Sequence, residues 1–297
     1  METLISVVIP IFNRPKELAR ALNSLVSQDC HNFEVIVVDD GSTIDISAVI
    51  SQYTELLLIT YIKISNSGGP ARPRNIGIQH ARSKWIALLD SDDWWSSIKI
   101  REVTNAIYSF PDDDLFYHRL KIISNSLRRK WWQARSLGRN ISGDPFLSLM
   151  VNGNSIPNSS VVFRRSCFLK HGPFNEAKKY QSVEDFDYWL TLAWRRCKFV
   201  FIPKVLGYYS LEGEGISSNF RKTIIRNKFL LNKYINFLEI DKRSSALSSY
   251  QYFAGSVLYS AGLPEKANYY LLRAKNLNQI TFRLKRLYKL IRIHLLV

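Results

Sequence analysis

Cysteine, histidine, long apolar runs and, in the last quarter, acidic residues are all scarce in this chain, and each shortage removes a class of explanation. The three cysteines, Cys30, Cys167 and Cys197, lie far apart and form no CxxC pair. That excludes a disulfide scaffold and a four-ligand zinc site, and it suits a reducing compartment. The five histidines are scattered, so a histidine-built metal centre is not expected either. The apolar run at residues 4–9 is too short for a signal-peptide core, and no later run reaches about 18 apolar residues. The expectation is a cytoplasmic protein without a membrane-spanning helix.

Enough hydrophobic residues remain, 46% of 297, for a sizeable core. The net charge of +16 is concentrated at one end. Residues 221–297 hold 15 Lys and Arg against Glu239, Asp241 and Glu265, a local charge of +12. The first 220 residues are close to balanced.

Short β-branched runs alternate with amphipathic stretches through the first 90 residues. Strands are expected at 4–11, 34–38, 57–63 and 85–89, and helices at 16–28, 48–53 and 72–81. Strands separated by helices of this length imply a parallel, doubly wound α/β sheet, whose sites lie at the C-terminal strand ends. The polar clusters fall at those ends: Asn13, Asp39-Asp40, residues 65–69 and residues 90–93. Further strands are expected at 115–123, 160–164 and 199–209, and a helix at 183–195. Beyond Asn219 the pattern is helical, with breaks near Asp241 and at 262–264 and a helical hairpin over 250–278.

Four clusters carry chemistry. Leu88-Leu89-Asp90-Ser91-Asp92-Asp93 ends a buried strand in three carboxylates, which repel one another unless a hard cation joins them. The same spacing also fits a solvated acidic turn capping a helix near Ser96. Asp39 in Val38-Asp39-Asp40-Gly41-Ser42 can bond a ribose or base edge, or the segment is a plain capped turn. In the 66–77 stretch Gly68 and Gly69 precede a helix N-terminus that suits an anion and Arg72 or Arg74 can pair with phosphate, or the segment is a loop with surface arginines. It matches neither a P-loop nor a dinucleotide fingerprint. Glu184-Asp185-Phe186-Asp187 heads a helix, where acids also simply favour the dipole.

Taken in order, SVVIPIFNR from Ser6, VVDDGST from Val37, ARPRNIG from Ala71, LLDSDDWW from Leu88 and EDFDYWL from Glu184 resemble the inverting family-2 glycosyltransferases of the bacterial surface-polysaccharide type. The resemblance covers roughly residues 4–212. It implies a GT-A fold, Rossmann-like and mostly parallel, over residues 1–215. The nucleotide-binding half would be about 1–95 and the acceptor half about 96–215, with a basic helical extension at 216–297. It also implies site roles. Pro10, Phe12, Asn13, Asp39, Asp40, Arg74, Asp90 and Ser91 would bind a nucleotide-sugar, and Asp90 with Asp92 a divalent ion, Mn²⁺ or Mg²⁺. Asp185 would be the base, with Glu184 beside it. The expected donor is a UDP-hexose or UDP-N-acetylhexosamine, and the acceptor a glycan or lipid-linked saccharide. Phe12 stands where the family often has tyrosine, and Pro73 interrupts a common Ala-Arg-Asn run.

The last segment places Ile280, Leu284, Leu287, Ile291 and Leu295 on one helical stripe, with Arg283, Lys285, Arg286, Lys289 and Arg292 around it. Such a helix can lie on an anionic membrane surface or pack on its own domain. The expected location is therefore peripheral, on the inner face of the cell membrane. A basic nucleic-acid-binding module and a sugar-phosphate nucleotidyltransferase are the competing readings. Salt-dependent retention on nucleic acid would mark the first, and pyrophosphate release the second. No nucleic acid partner is expected.

Overall fold

The structure is a computed structural model and describes residues 4–124, 136–211 and 220–294. The chain divides into two compact units, one of Met1–Asn140 with Ile156–Gly213, the other of Ile141–Ser155 with Glu214–Val297.

The first unit is built on one mixed sheet. Its parallel part comprises β1 (Ile5–Ile11), β2 (Phe33–Asp39), β3 (Ile59–Lys63) and β4 (Trp85–Leu88), with β1 between β2 and β4. All seven residues of β1 and of β2 are buried, which explains their unbroken apolar runs: a parallel strand covered on both faces has no polar side to show. Helix α1 (Pro15–Val26) starts on Pro15, whose missing N–H costs nothing in a first turn, and buries Leu18, Ala21, Leu22 and Leu25 as expected. The helix expected at 48–53 is reduced to one turn, α2 (Ser47–Ile50). Helix α3 (Ala71–His80) accommodates Pro73 within its first turn. It lies so close to the sheet that a Cβ on Gly77 would stand 2.5 Å from Val8 Cγ1 and 3.3 Å from Val38 Cγ2.

The remaining strands are β5 (Trp94–Trp95), β6 (Leu115–Ile123), β7 (Ser136–Leu137), β8 (Val162–Arg164) and β9 (Phe199–Ser210). They extend the sheet in the order β3-β2-β1-β4-β8-β6-β9-β5, with β7 beside β6. β8 runs antiparallel to β4, so the parallel half ends there. Between these strands lie α4 (Lys99–Ser109), α6 (Arg165–His171) and α7 (Glu184–Trp194). The helix expected near Ser96 starts later because Trp94 and Trp95 first pair with Tyr208 and Gly207. Registers Ile11↔Asp39 and Val8↔Leu88 bring the C-terminal ends of β1, β2 and β4 side by side. The sequence clusters at 12–13, 39–43 and 90–93 therefore open onto one crevice.

The second unit is helical: α5 (Pro145–Asn152), α8 (Phe220–Tyr234), α9 (Ile240–Ser260), α10 (Pro264–Arg273) and α11 (Ile280–His294). The break expected near Asp241 is the short turn Ile235–Phe237, and Gly262 and Pro264 separate the α9–α10 hairpin. Ile224, Ala254, Leu258, Ala267, Leu271, Leu290 and Ile293 form its core. Asp144 caps α5 by accepting from the Leu147 N–H at 2.8 Å, and Phe146 meets Tyr234 edge-on with ring centroids 6.0 Å apart. In α11 the inward residues are Leu290 and Ile293, while the stripe read from the sequence faces outward. Leu295 lies outside the described residues.

Candidate active site

The loop after β4 is only partly accessible and is not a helix cap. The N-terminus of α4 falls at Ile98 without any side-chain cap, and each acid of the loop is held by side chains from elsewhere in the fold. Asp90 accepts from Arg74 Nη2 at 2.7 Å and from Asn158 Nδ2 at 3.0 Å, and its N–H donates to Ser159 Oγ at 3.1 Å. Asp92 takes the guanidinium of Arg14 on its carboxylate, and its carbonyl accepts from Arg20 Nη2 at 2.7 Å. Ser91 and Asp93 are buried. Asp93 accepts from Ser159 Oγ at 2.5 Å and from the Ser210 N–H at 3.1 Å, so the third acid ties the loop to β9.

Crowding shows in the titration of these groups. Burial raises the Asp92 carboxyl above the usual carboxylate range, and the charge of Asp90 adds to it, against the pull of Arg14. Burial lifts Asp93 well above its ordinary value, and the charges of Asp92 and Asp90 add to it. Trp94 and Trp95 frame the loop from one side. Trp95 Nε1 donates to the Ser159 carbonyl at 2.8 Å, while Trp94 stacks on Tyr208 and lies 4.1 Å under the Arg20 guanidinium.

On the other side of the crevice, Pro10 is buried within β1 and the Phe12 ring is 45% exposed, open to stacking. Asn13 adopts a left-handed backbone, φ 53°, and binds the loop after β2 through both its backbone and its side chain. Its N–H donates to Ser42 Oγ at 2.9 Å, and its Oδ1 accepts from the Thr43 N–H at 2.8 Å. Asp39 is fully buried and accepts from the Ser42 N–H and the Tyr61 hydroxyl, both at 2.8 Å. Asp40 accepts from the Ser67 N–H at 2.8 Å, and burial leaves its pKa raised despite that bond. Neither Ser42 nor Thr43 caps α2, which starts at Ser47. Gly41, at φ 75°, is required because a Cβ would lie 2.6 Å from the Asn66 nitrogen. The 39–43 and 66–67 loops are thus stitched together. Next to them, the 66–72 loop, residues 175–178, Gln181 and Glu184 enclose a cavity of about 500 Å³.

Arg74 joins the two sides. It is 3% exposed, and donates Nη2 to Asp90 and Nη1 to Glu184 at 2.8 Å. Burial draws its pKa down, but Asp90 and Glu184 outweigh that and hold the guanidinium charged. The second oxygen of Glu184, Oε2, is buried without a partner among the described residues. Asn75 fixes the approach to α7 by exchanging two 2.9 Å bonds with the Phe174 backbone. At the head of α7, Asp185 accepts from the Phe186 N–H at 2.7 Å. Burial pushes its carboxyl up to about 7, the charge of Glu184 adds to this, and Arg74 opposes it.

Of the residues expected in the site, Asp90, Arg74, Glu184 and Asp185 are therefore one charged network, with Asp92 beside Asp90. Asn13, Asp39 and Asp40 are linked to each other through their loops. Sequence reasoning missed Arg14, Arg20, Tyr61, Asn158 and Ser159. The only sign of the last two was a polar Asn158-Ser159-Ser160 triplet preceding a buried strand.

Among the described residues no three acids, cysteines or histidines are grouped to cage an ion on their own. Asp90 and Asp92 nevertheless fit a small divalent ion that takes one or two carboxylates and completes its shell with phosphate oxygens. They repel each other, and Asp92 already holds a cation, the Arg14 guanidinium, in that place.

Residues 6–171, more than half of the chain, match the family model described as Glycosyl transferase family 2. Poly(ribitol-phosphate) β-N-acetylglucosaminyltransferase TarS of Staphylococcus aureus is 34% identical over 213 residues, 71% of this chain and 36% of TarS. Its 1–349 fragment, solved with UDP-GlcNAc, superposes with a TM-score of 0.60 at 20% identity over 92% of this chain and 88% of that one. The Escherichia coli UDP-Glc:α-D-GlcNAc-diphosphoundecaprenol β-1,3-glucosyltransferase WfaP is 28% identical over 230 residues, 77% of this chain and 85% of WfaP. The mannosyltransferase PcManGT of Pyrobaculum calidifontis, solved with GDP-Man and Mn²⁺, gives a TM-score of 0.58 at 16% identity, covering 99% and 87%. The chain spans about a fifth of the length of the Rickettsia felis and Rickettsia conorii relatives it matches. The mixed sheet with its helices is the α/β GT-A architecture of these solved structures.

Proposed function

The chain belongs to glycosyl transferase family 2 and is a glycosyltransferase, and we propose that it transfers a hexosyl or N-acetylhexosaminyl group from a UDP-sugar with inversion. The acceptor is a hydroxyl of a lipid-linked or cell-surface glycan, reached from the cytoplasmic side of the membrane. The observation that carries this reading is Arg74, which couples the acidic loop after β4 to the head of α7, where Asp185 stands. The acceptor class rests on the activities of the relatives WfaP and TarS.

Phe12 offers its ring to the base, while Asn13 and the 39–43 loop shape the nucleoside side of the crevice. Asp92 and Asp90 would hold a divalent ion, whose charge would offset that gathering on the leaving diphosphate. Arg14, displaced from Asp92, is free to pair with phosphate oxygens. Asp185 takes the proton of the acceptor hydroxyl. The new bond joins that oxygen to the anomeric carbon as the carbon–diphosphate bond breaks, and its electron pair leaves with the nucleoside diphosphate. A carboxyl poised near 7 is well matched to this role at neutral pH. Glu184, locked on Arg74, positions Asp185 and raises its basicity rather than touching the acceptor.

The test is a screen of nucleotide-sugars for released nucleoside diphosphate, with Mn²⁺ and with EDTA, on the wild type, Asp92→Ala and Asp185→Asn. Metal-dependent UDP release that both variants lose supports the assignment. Absence of turnover together with absence of UDP-sugar binding overturns it.

A further inference from the structure

The basic tail is the one sequence feature that sugar transfer leaves unused, and α11 supplies a surface for it. The helix is fastened to the second unit by one face alone. On that face Leu290 and Ile293 are buried, Phe282 stacks on Tyr252 at 5.2 Å, and Lys289 Nζ donates to Ser256 Oγ at 2.6 Å. Arg286 Nε donates to the Leu271 carbonyl at 2.6 Å, closing the end of α10. The opposite face carries Ile280, Leu284, Leu287, Tyr288 and Ile291, each between 50% and 70% exposed. At 100° per residue these five form one stripe, with Arg283 along one edge and Lys285 and Arg292 along the other.

A helix that only packs on its domain turns its apolar stripe inward. Here the stripe is outward, and the inward face is held by two apolar residues, a ring stack and the polar ends of Lys289 and Arg286. What covers such a stripe must accept large apolar side chains between rows of cations. A second copy meets the first requirement and fails the second, because it sets one +12 segment against another. An anionic bilayer meets both, with acyl chains under the stripe and lipid phosphates beside its edges.

We propose that α11 is an interfacial helix that docks the protein on an anionic membrane, burying Ile280, Leu284, Leu287, Tyr288 and Ile291 among the headgroups. Lys285 and Arg292 hold the lipid phosphates, joined by the terminal nitrogens of Arg283, whose Nε donates to the Leu277 carbonyl at 2.6 Å. Tyr288 sits at the depth where aromatic rings with a polar tip collect. The inference deepens the membrane-linked acceptor reading without depending on it, since docking is measured with no sugar present.

The experiment is flotation of the full-length protein with phosphatidylcholine vesicles, with and without phosphatidylglycerol. Three proteins are compared: wild type, Leu284→Glu/Leu287→Glu, and Lys285→Glu/Arg292→Glu. All four substituted positions are exposed, so the fold is retained, and circular dichroism verifies this. The wild type is expected to float with the anionic vesicles only, and each variant to bind roughly tenfold or more weakly. UDP-sugar binding by all three stays equal, which separates failure of docking from failure of the enzyme reading. Undiminished flotation of the leucine variant overturns the proposal. So does a wild-type dimer in light scattering that this variant abolishes, because the stripe is then a contact between copies. Retention on RNA that only the charge variant loses overturns it as well.

Discussion

Arg14 reaches across 78 residues of sequence to place its guanidinium on the carboxylate of Asp92. Both side chains are partly accessible, so the pair can part without rearranging the core. Arg14 thus keeps the would-be ion ligand neutralised until a stronger cation arrives. Arg14→Gln is expected to tighten Mn²⁺ binding about tenfold, the equivalent of one charge-assisted hydrogen bond. Direct titration of free Mn²⁺ by electron paramagnetic resonance reads this without turnover, and the same variant is expected to bind UDP more weakly.

Arg74 plays a different part, because it is buried. Arg74→Ala leaves Glu184 and Asp90 without their shared cation, and an uncompensated buried charge costs about 3–5 kcal/mol. Urea unfolding is expected to show a loss of that order at pH 7.

The Asp185 carboxyl gives a pH dependence of definite sign. Its folded pKa, about 7, lies above the ordinary carboxylate value because of burial and Glu184. The folded state therefore binds a proton that the unfolded state has released. This contribution to stability is complete below the unfolded pKa and is lost as pH rises through about 7. Transfer, which needs the carboxylate, is expected to run the other way and rise between pH 6 and 8. Asp185→Asn should abolish transfer yet unfold at a higher temperature than wild type at pH 8. A flat rate across that range would remove Asp185 from the role of base.

Gly77 tests the packing that sets the crevice. With Val8 Cγ1 2.5 Å from any added Cβ, Gly77→Ala must push α3 off β1. A loss of about 1–3 kcal/mol is expected in thermal or urea unfolding. The shift should also weaken UDP-sugar binding, because α3 carries Arg74.

Much of this was legible in the sequence where the signal is local. The runs ending at Ile11, Asp39 and Leu88 announce strands through composition alone, and a parallel sheet then gathers their ends. The charged network was legible only as separate motifs. That Arg74 lies between Asp90 and Glu184 depends on a pairing across 110 residues, which periodicity does not report. Asn158 and Ser159 showed only as part of a polar triplet for the same reason, since short polar side chains read as a turn until their partners are known. Trp94 and Trp95 stand just ahead of Ser96, where a helix was expected to begin. They form a strand because Gly207 and Tyr208 lie alongside, a tertiary choice overriding a local one. In α11 the stripe was legible but its direction was not, because amphipathicity says which residues share a face and not what the face meets.

The way the second unit is assembled constrains how the protein can be made. Helix α5 leaves the ribosome long before α8 and α9, yet Phe146 closes on Tyr234. Through that interval Phe146, and the face of α5 that packs on α9, wait for their partners. A fragment stopping after β9 would keep α5 in that unfinished condition permanently. Co-expression of residues 214–297 as a separate chain is therefore expected to raise the soluble yield of such a fragment, by complementation.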